Sequence, residues 1–272
     1  MHCWDVGGAV APRFTRLSIL LVLVGSPFGC SEWSPPGDSS DPASLEARLS
    51  HIKIQEERMS EEALARRARS FAILKEEGVP YIDHLPVIET EAESVRRSTE
   101  EVALRTMALA LVAAKGEGLE QEHVDNWIER FDLAEAFTPQ EREFIQDPDP
   151  DPARSVHLSW RYECCWVLLW ALGYFEELHR PDTMCDPKKV VSLIFGDSRE
   201  AFIKNAKLRS QKDLLDAADL IYRYHWAAVE AQVNNGDDAA GLHDGVCVEH
   251  HRALNWLIGH MNAQWDDVST DT

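Results

Sequence analysis

One run constrains the fold more than any other. CCWVLLWALGYF, from Cys164 to Phe175, is apolar on every helical face. A helix of that kind has no side suited to water and must be covered all round. At 12 residues, with Arg161, Glu163, Glu176 and Glu177 flanking it, the run is too short and too charged at its ends to span a bilayer. The remaining segments must therefore enclose it, and nearly all of them repeat their apolar positions at helical spacing. The reading is an all-α fold, a single multi-helix globular domain with this apolar helix at its centre. With 44% hydrophobic residues and nine tryptophans in 272 positions, there is enough apolar matter for one core. DPDPDPAR, from Asp147 to Arg154, reads as a charged break, but the helix after it is too apolar to belong to a separate domain.

Element boundaries follow from capping chemistry. Leu45 to Gly78 reads as one long charged helix with a stripe of Leu49, Ile52, Leu64, Phe71, Ile73 and Leu74, stopped by Gly78 and Pro80. YIDHLPVIETEAES is an irregular connection. Ser98 with Glu101, and Thr138 with Glu141 and Pro139, form capping-box patterns. Further helices are read from Glu122 to Phe131, from about Ser159 through Trp170, from Pro187 to Phe195 and from Ser198 to Asn205. Ser210 caps a long helix to Val233, and Asp244 caps a last one through Met261.

The N-terminus reads as an address. Arg13 and Arg16 precede the apolar run Leu17 to Val24, and Gly29-Cys30 ends the stretch. This layout resembles a bacterial lipoprotein signal, which implies lipidation at Cys30 and export. Pro27 and Phe28 depart from that pattern, which favours an aliphatic and a small residue there. Residues 1–30 are thus a signal-like leader, residues 31–44 a Ser/Pro/Asp-rich tether, and residues 45–272 the helical domain. A cytoplasmic chain is the alternative. Asp5 in the prefix MHCWDVGGAVAP fits a true start nearer Val10.

A net charge of −20 repels nucleic acid and anionic lipid, so neither is read as a partner; a membrane enters only through an anchor at Cys30. The charge reads first as solubility; the sharper reading is a basic protein partner steered to it. Cys164 and Cys165 read as core, and a Cys185–Cys247 bridge is left open. No CxxC pair is present to support a cysteine-rich zinc site. GxSxG, GxGxxG and P-loop motifs are likewise absent, so serine hydrolysis, hydride transfer and phosphoryl transfer lack support. No metal and no cofactor is called.

What remains is a set of polar residues set among Trp and Leu: Arg161, Glu163, Asp219, Arg223, His225, Glu249, His250 and Asn255. Buried polar groups need partners, so these residues form either a pocket or a structural network. Asp216, Asp219 and Arg223 share a helical face, which suits acid–base or divalent-metal chemistry and equally an intrahelical Asp219–Arg223 ion pair. In Glu249-His250-His251-Arg252, adjacent histidines point to different faces and cannot serve one site. Cys247 and His251 share a face, which is at most half a metal site. Asp266 and Asp267 sit in a tail that Trp265 can dock, with Arg161 or Arg223 as partners for their carboxylates.

In order along the chain, EEGVPYIDHLP, RRSTEEVALRTMAL, WRYECCWVLLWALG, LLDAADLIYRYHWA, EHHRALNWLIG and WDDVSTDT resemble the bacterial domain-of-unknown-function family 4272 (DUF4272). The resemblance runs from about Arg67 to the C-terminus. It implies a mainly α-helical intracellular or accessory domain and brings no established activity and no catalytic residues. The function read from the sequence is a non-enzymatic binding or accessory domain. Two alternatives stand beside it: an enzyme of unknown reaction using the polar set, and a polar network that only holds helices together.

Overall fold

The computed structural model describes residues 60–234 and 239–272. The leader, the tether, Cys30 and the reading of helix over 45–59 lie outside the described residues. The described chain forms α1 (Glu61–Glu77), α2 (Thr99–Gly116), α3 (Gln121–Arg130), α4 (Pro139–Gln146), α5 (Pro152–Ser159), α6 (Arg161–Ala171), α7 (Pro187–Phe195), α8 (Arg199–Asn205), α9 (Gln211–Val233) and α10 (Asp244–Ile258). Two short 3-10 turns, His260–Asn262 and Trp265–Asp267, follow. No strand occurs among the described residues, and none of their helices is long and apolar enough to cross a membrane.

Local chemistry sets the ends. Ser98 and Glu101 complete a capping box on α2, Thr138 and Glu141 complete one on α4, and the Ser210 side chain accepts from Asp213 N–H on α9. Three boundaries differ from the sequence reading. Among the described residues the helix expected from Leu45 starts at Glu61, where the extended backbone and hydroxyl of Ser60 cap α1. The break expected over Asp147 to Arg154 ends at Asp151, because Asp151 caps α5 and Pro152 is tolerated at its first position. The last helix starts at Asp244 with His243 as its cap and stops at Ile258, where Gly259 turns left-handed at φ 69°. A side chain at Gly259 would meet Val95, whose N–H donates to Ile258 O at 3.0 Å.

The core has two central helices. α6 is buried along its length except at Trp166, as its composition requires. α2 is equally enclosed: from Val102 to Lys115 only Leu104 is partly exposed. α2 packs on α5 and α6, α6 packs on α10, and α10 packs on α9, which in turn carries α1. Gly116 permits the α2–α5 approach, since a Cβ there would lie 2.6 Å from Ser155 O. Lys115, only 5% exposed, sends its ammonium to Gln121 Oε1 (2.6 Å), Ile145 O (2.8 Å) and Asp147 O (2.6 Å). All three of its donors are thereby used, which is what a buried ammonium requires.

The stripe expected on α1 is corrected. Ile73 is exposed, and the buried face is Ala63, Arg66, Ser70 and Leu74. Ser70 faces inward because α9 presents Asp219 to it, and Arg66 because Glu62, Glu89 O and, at 3.4 Å, Asp216 receive its guanidinium.

Candidate functional site

The eight polar residues singled out above fall into separate, locally closed groups. Arg161, first in α6, donates through Nη1 to both Glu249 oxygens, at 2.6 and 2.5 Å. The Cys164 thiol also donates to Glu249 Oε2, at 2.9 Å. Burial, and then the Glu249 charge, push that thiol well above its ordinary pKa, so it stays a donor and not a nucleophile. Burial works against the Arg161 charge, but Glu249 outweighs it and raises the guanidinium pKa.

Asp219 and Arg223 form the second group. Arg223 donates from Nε (2.9 Å) and Nη2 (2.7 Å) to Asp219, and Ser70 Oγ donates to the same carboxylate at 2.6 Å. Both residues are 0% exposed, and the guanidinium lies 4.9 Å from the centre of the Phe71 ring. This is the intrahelical pair, and through Ser70 and Phe71 it also fastens α1 to α9. Asp216, on the same face, binds Arg69 (2.5 Å) and Lys212 (2.7 Å) instead.

The Glu249-His250-His251 run distributes its side chains to three places. Glu249 goes to Arg161. His250 Nε2 points to Glu163 Oε2 at 3.4 Å, too long for a good hydrogen bond, while Glu163 Oε1 accepts from Cys185 N–H at 2.8 Å. His251 Nδ1 meets His225 Nδ1 at 2.9 Å. The two histidines therefore do face apart, as their adjacency dictates.

Asn255 Nδ2 donates to Ser269 O at 2.9 Å, which helps dock the C-terminal tail. Trp265 is buried edge-on against Trp256. The tail is held by its backbone carbonyls: Arg97 binds Ala263 O (2.9 Å) and Arg252 binds Val268 O (3.2 Å). Its carboxylates do not reach Arg161 or Arg223, because Glu249 and Asp219 already occupy those guanidiniums; Asp266 instead accepts from Gln140 N–H at 3.4 Å.

All four described cysteines are free thiols, so Cys185 and Cys247 are not bridged. Cys247 lies 3.9 Å from Pro181 O, and burial pushes its pKa up to about 12. Among the described residues, no three His, Cys, Asp or Glu side chains are placed to hold a metal ion.

Two clefts adjoin these groups. The first, of about 610 Å³, lies between the 86–93 connection, the start of α1, α9, α10 and the tail. Asn255 is the only one of the eight residues that lines it; its other polar walls include Glu89, Glu93, Tyr222, His251 and Asp271. The second cleft, of about 450 Å³, has His250 in its lining and none of the other seven. The 86–93 connection is positioned by Arg66, 1% exposed, whose Nη1 donates to Glu89 O at 2.8 Å. Nothing in a single sequence marks that link, since 23 residues separate its ends.

Acid tests the histidine pair. Burial, then the neighbouring charges of His225 and His260, push His251 from an ordinary 6.5 down to about 3. Burial also lowers His225, against the pull of Asp244. Between pH 6.5 and about 3 the unfolded chain holds a proton on residue 251 that the folded chain lacks. Stability is therefore full above that window and is lost as pH falls through it. His260 shifts the other way, raised by its hydrogen bond to Glu89, so it offsets part of the loss between pH 7 and 6.5 and none well below that. Lowering pH from 7 to 5 costs about 2 kcal/mol for one such group. Urea unfolding at both pH values measures this, and His251→Gln flattens the dependence. An unchanged slope in that variant places the acid sensitivity elsewhere.

The family model described as Domain of unknown function (DUF4272) matches residues 66–268. The chain belongs to that family. No curated protein and no solved structure matches it.

Proposed function

We propose that this domain is a non-enzymatic binding module whose first cleft receives a basic segment of a protein partner. One observation carries the reading: the buried charges are spent on each other, whereas the first cleft gathers three carboxylates, Glu89, Glu93 and Asp271, in its lining. Arg161 with Glu249 and Arg223 with Asp219 are closed pairs that join helices. Glu89 binds His260 through Oε1 at 2.5 Å, while its Oε2 is buried beneath the cleft surface and has no hydrogen-bond partner. Asp271 adds a carboxylate, as does Glu93, whose Oε2 also accepts from Thr90 N–H and Oγ, and Pro86, Val87 and Ile88 add apolar wall. His251 is 3% exposed; with Nδ1 engaged by His225, its Nε2 is the ring nitrogen left for a ligand. The overall charge of −20 supports attraction of a cationic partner.

A lysine/arginine-rich peptide titrated into the full chain tests this. Saturable binding that weakens with added salt is the result the reading requires. The triple variant Glu89→Gln, Glu93→Gln, Asp271→Asn weakens it at least about tenfold, roughly 1.4 kcal/mol spread over three charge contacts. A folded triple variant that binds as well as the native chain removes the cleft from the account.

We also propose that the domain is exported and held at a membrane by lipid on Cys30. The basic pair Arg13 and Arg16, the apolar run after them and the Gly29-Cys30 ending support this. Expression in a bacterial host should yield a membrane-fraction protein whose mass starts at a lipidated Cys30. An unprocessed chain in the soluble fraction contradicts it.

A further inference from the structure

The second cleft has an organisation that the basic-segment reading does not use. It opens between the C-terminal half of α1, the 176–181 connection and the first half of α9. His250 is in its floor, and that side chain is only 4% exposed. Its Nε2 is buried on the far side, 3.4 Å from Glu163 Oε2, and neither atom has a hydrogen-bond partner. Glu163 is held in place by Cys185 N–H at 2.8 Å. The Glu163 carboxylate, too distant to accept a good hydrogen bond, still favours the proton on Nε2 through its charge. Nδ1 then carries a lone pair, makes no hydrogen bond among the described residues and is the nitrogen left to the cleft.

The walls decide what such an acceptor would meet. Trp170, Leu178, Leu220 and Tyr224 are apolar or aromatic over most of their surface. The two arginines in the lining are already committed. Arg180 binds Glu77 (3.0 Å), Asp182 (3.4 Å) and Ala240 O. Arg209 binds Trp170 O (2.9 Å), Phe175 O (2.6 Å) and Glu176 O (2.6 Å). Arg209 makes no ion pair among the described residues, and its one positive charge is outnumbered by Glu176, Glu177 and Asp213 in the same lining. Glu176 and Glu177 line the same cleft, and their carboxylates make no ion pair among the described residues. The site thus offers a buried acceptor, apolar walls and unpaired negative charge, in a volume suited to a small molecule.

We propose that this cleft binds a small organic ammonium ion with an apolar or aromatic body, its N–H donating to His250 Nδ1. The body lies along Trp170, Leu178 and Leu220, and the ammonium gains from Glu176 and Glu177. The site is independent of the first cleft and stands or falls without it.

The test is calorimetric titration of the full chain with 2-phenylethylamine, with 2-phenylethanol and phenylacetate as matched probes. The amine should bind saturably at millimolar concentration or below, and the acid at least about tenfold more weakly. His250→Leu should weaken the amine by about tenfold, the loss of one hydrogen bond to a charged group. Because His250 is buried, Leu220→Arg, at a half-buried wall position, provides a second block and should also weaken the amine. Circular dichroism establishes that each variant is folded. The proposal is overturned if the native chain shows no saturable binding of the amine. It is also overturned if amine and acid bind alike, or if a folded Leu220→Arg chain binds the amine as the native chain does.

Discussion

Asp219→Ala should lower the unfolding free energy by about 3–5 kcal/mol, read from the urea midpoint of the full chain. The reason is what the substitution leaves behind. Arg223 is 0% exposed and always charged, and it would lose the acceptor of its Nε and Nη2 donors. Its Nη1 already lacks a partner, and only a long contact from Nη2 to Pro86 O (3.5 Å) and the face of Phe71 would remain to the guanidinium. Ser70 Oγ would lose its acceptor too, which loosens α1 from α9. Asp219→Asn keeps an acceptor oxygen but not the charge, and should cost less. Replacing both partners, as Asp219→Leu with Arg223→Met, should cost far less than the sum of the single changes, since no charge is then orphaned. A loss below about 1 kcal/mol for Asp219→Ala would mean that water or another group reaches Arg223 and that the pair is not a lock.

Glu249→Ala should be of similar size, about 3–5 kcal/mol, because it strips the Arg161 guanidinium and the Cys164 thiol of one shared acceptor. Arg161 is 7% exposed and Cys164 is fully buried, so solvent screens the loss poorly. Here the damage falls between α6 and α10, whose packing encloses the most apolar helix of the chain. Both single changes remove a large share of a typical domain's stability, so low soluble yield is part of the expected result. A Glu249→Ala chain with a native urea midpoint would show that Arg161 finds another partner.

How far these features were legible depends on their range in sequence. The caps at Ser98, Thr138 and Ser210 are local, and a few residues specify each of them. The Asp219–Arg223 pair was also legible, since an i, i+4 spacing places both on one face whatever the tertiary fold. The separation of His250 from His251 follows from helical geometry in the same way. Arg161 could be recognised as a buried cation needing a partner on another helix, but choosing Glu249, 88 residues away, takes the packing of α6 on α10. Arg66 and Ser70 escaped because they occupy the inward face of a charged helix where apolar residues were expected. Ser70 is admitted there by Asp219 on α9, and Arg66 by Glu62, Glu89 O and, at longer range, Asp216. Glu141 was read as a capping residue, and it is one, but the same carboxylate also receives the buried Arg105 guanidinium. Pro152 concealed α5 because a proline-rich acidic run reads as a break until its last proline starts a helix.

The central claim is that the buried charges hold the shape and the first cleft does the recognising. It is tested most directly by the affinity of the lysine/arginine-rich peptide for the double variant Arg161→Met, Glu249→Leu. Removing both charges at once orphans neither, so the chain should stay folded. The account predicts peptide affinity within about twofold of the native chain, since neither residue lines the cleft. A cooperatively folded double variant that no longer binds the peptide would contradict it, and would make Arg161 and Glu249 part of the functional site.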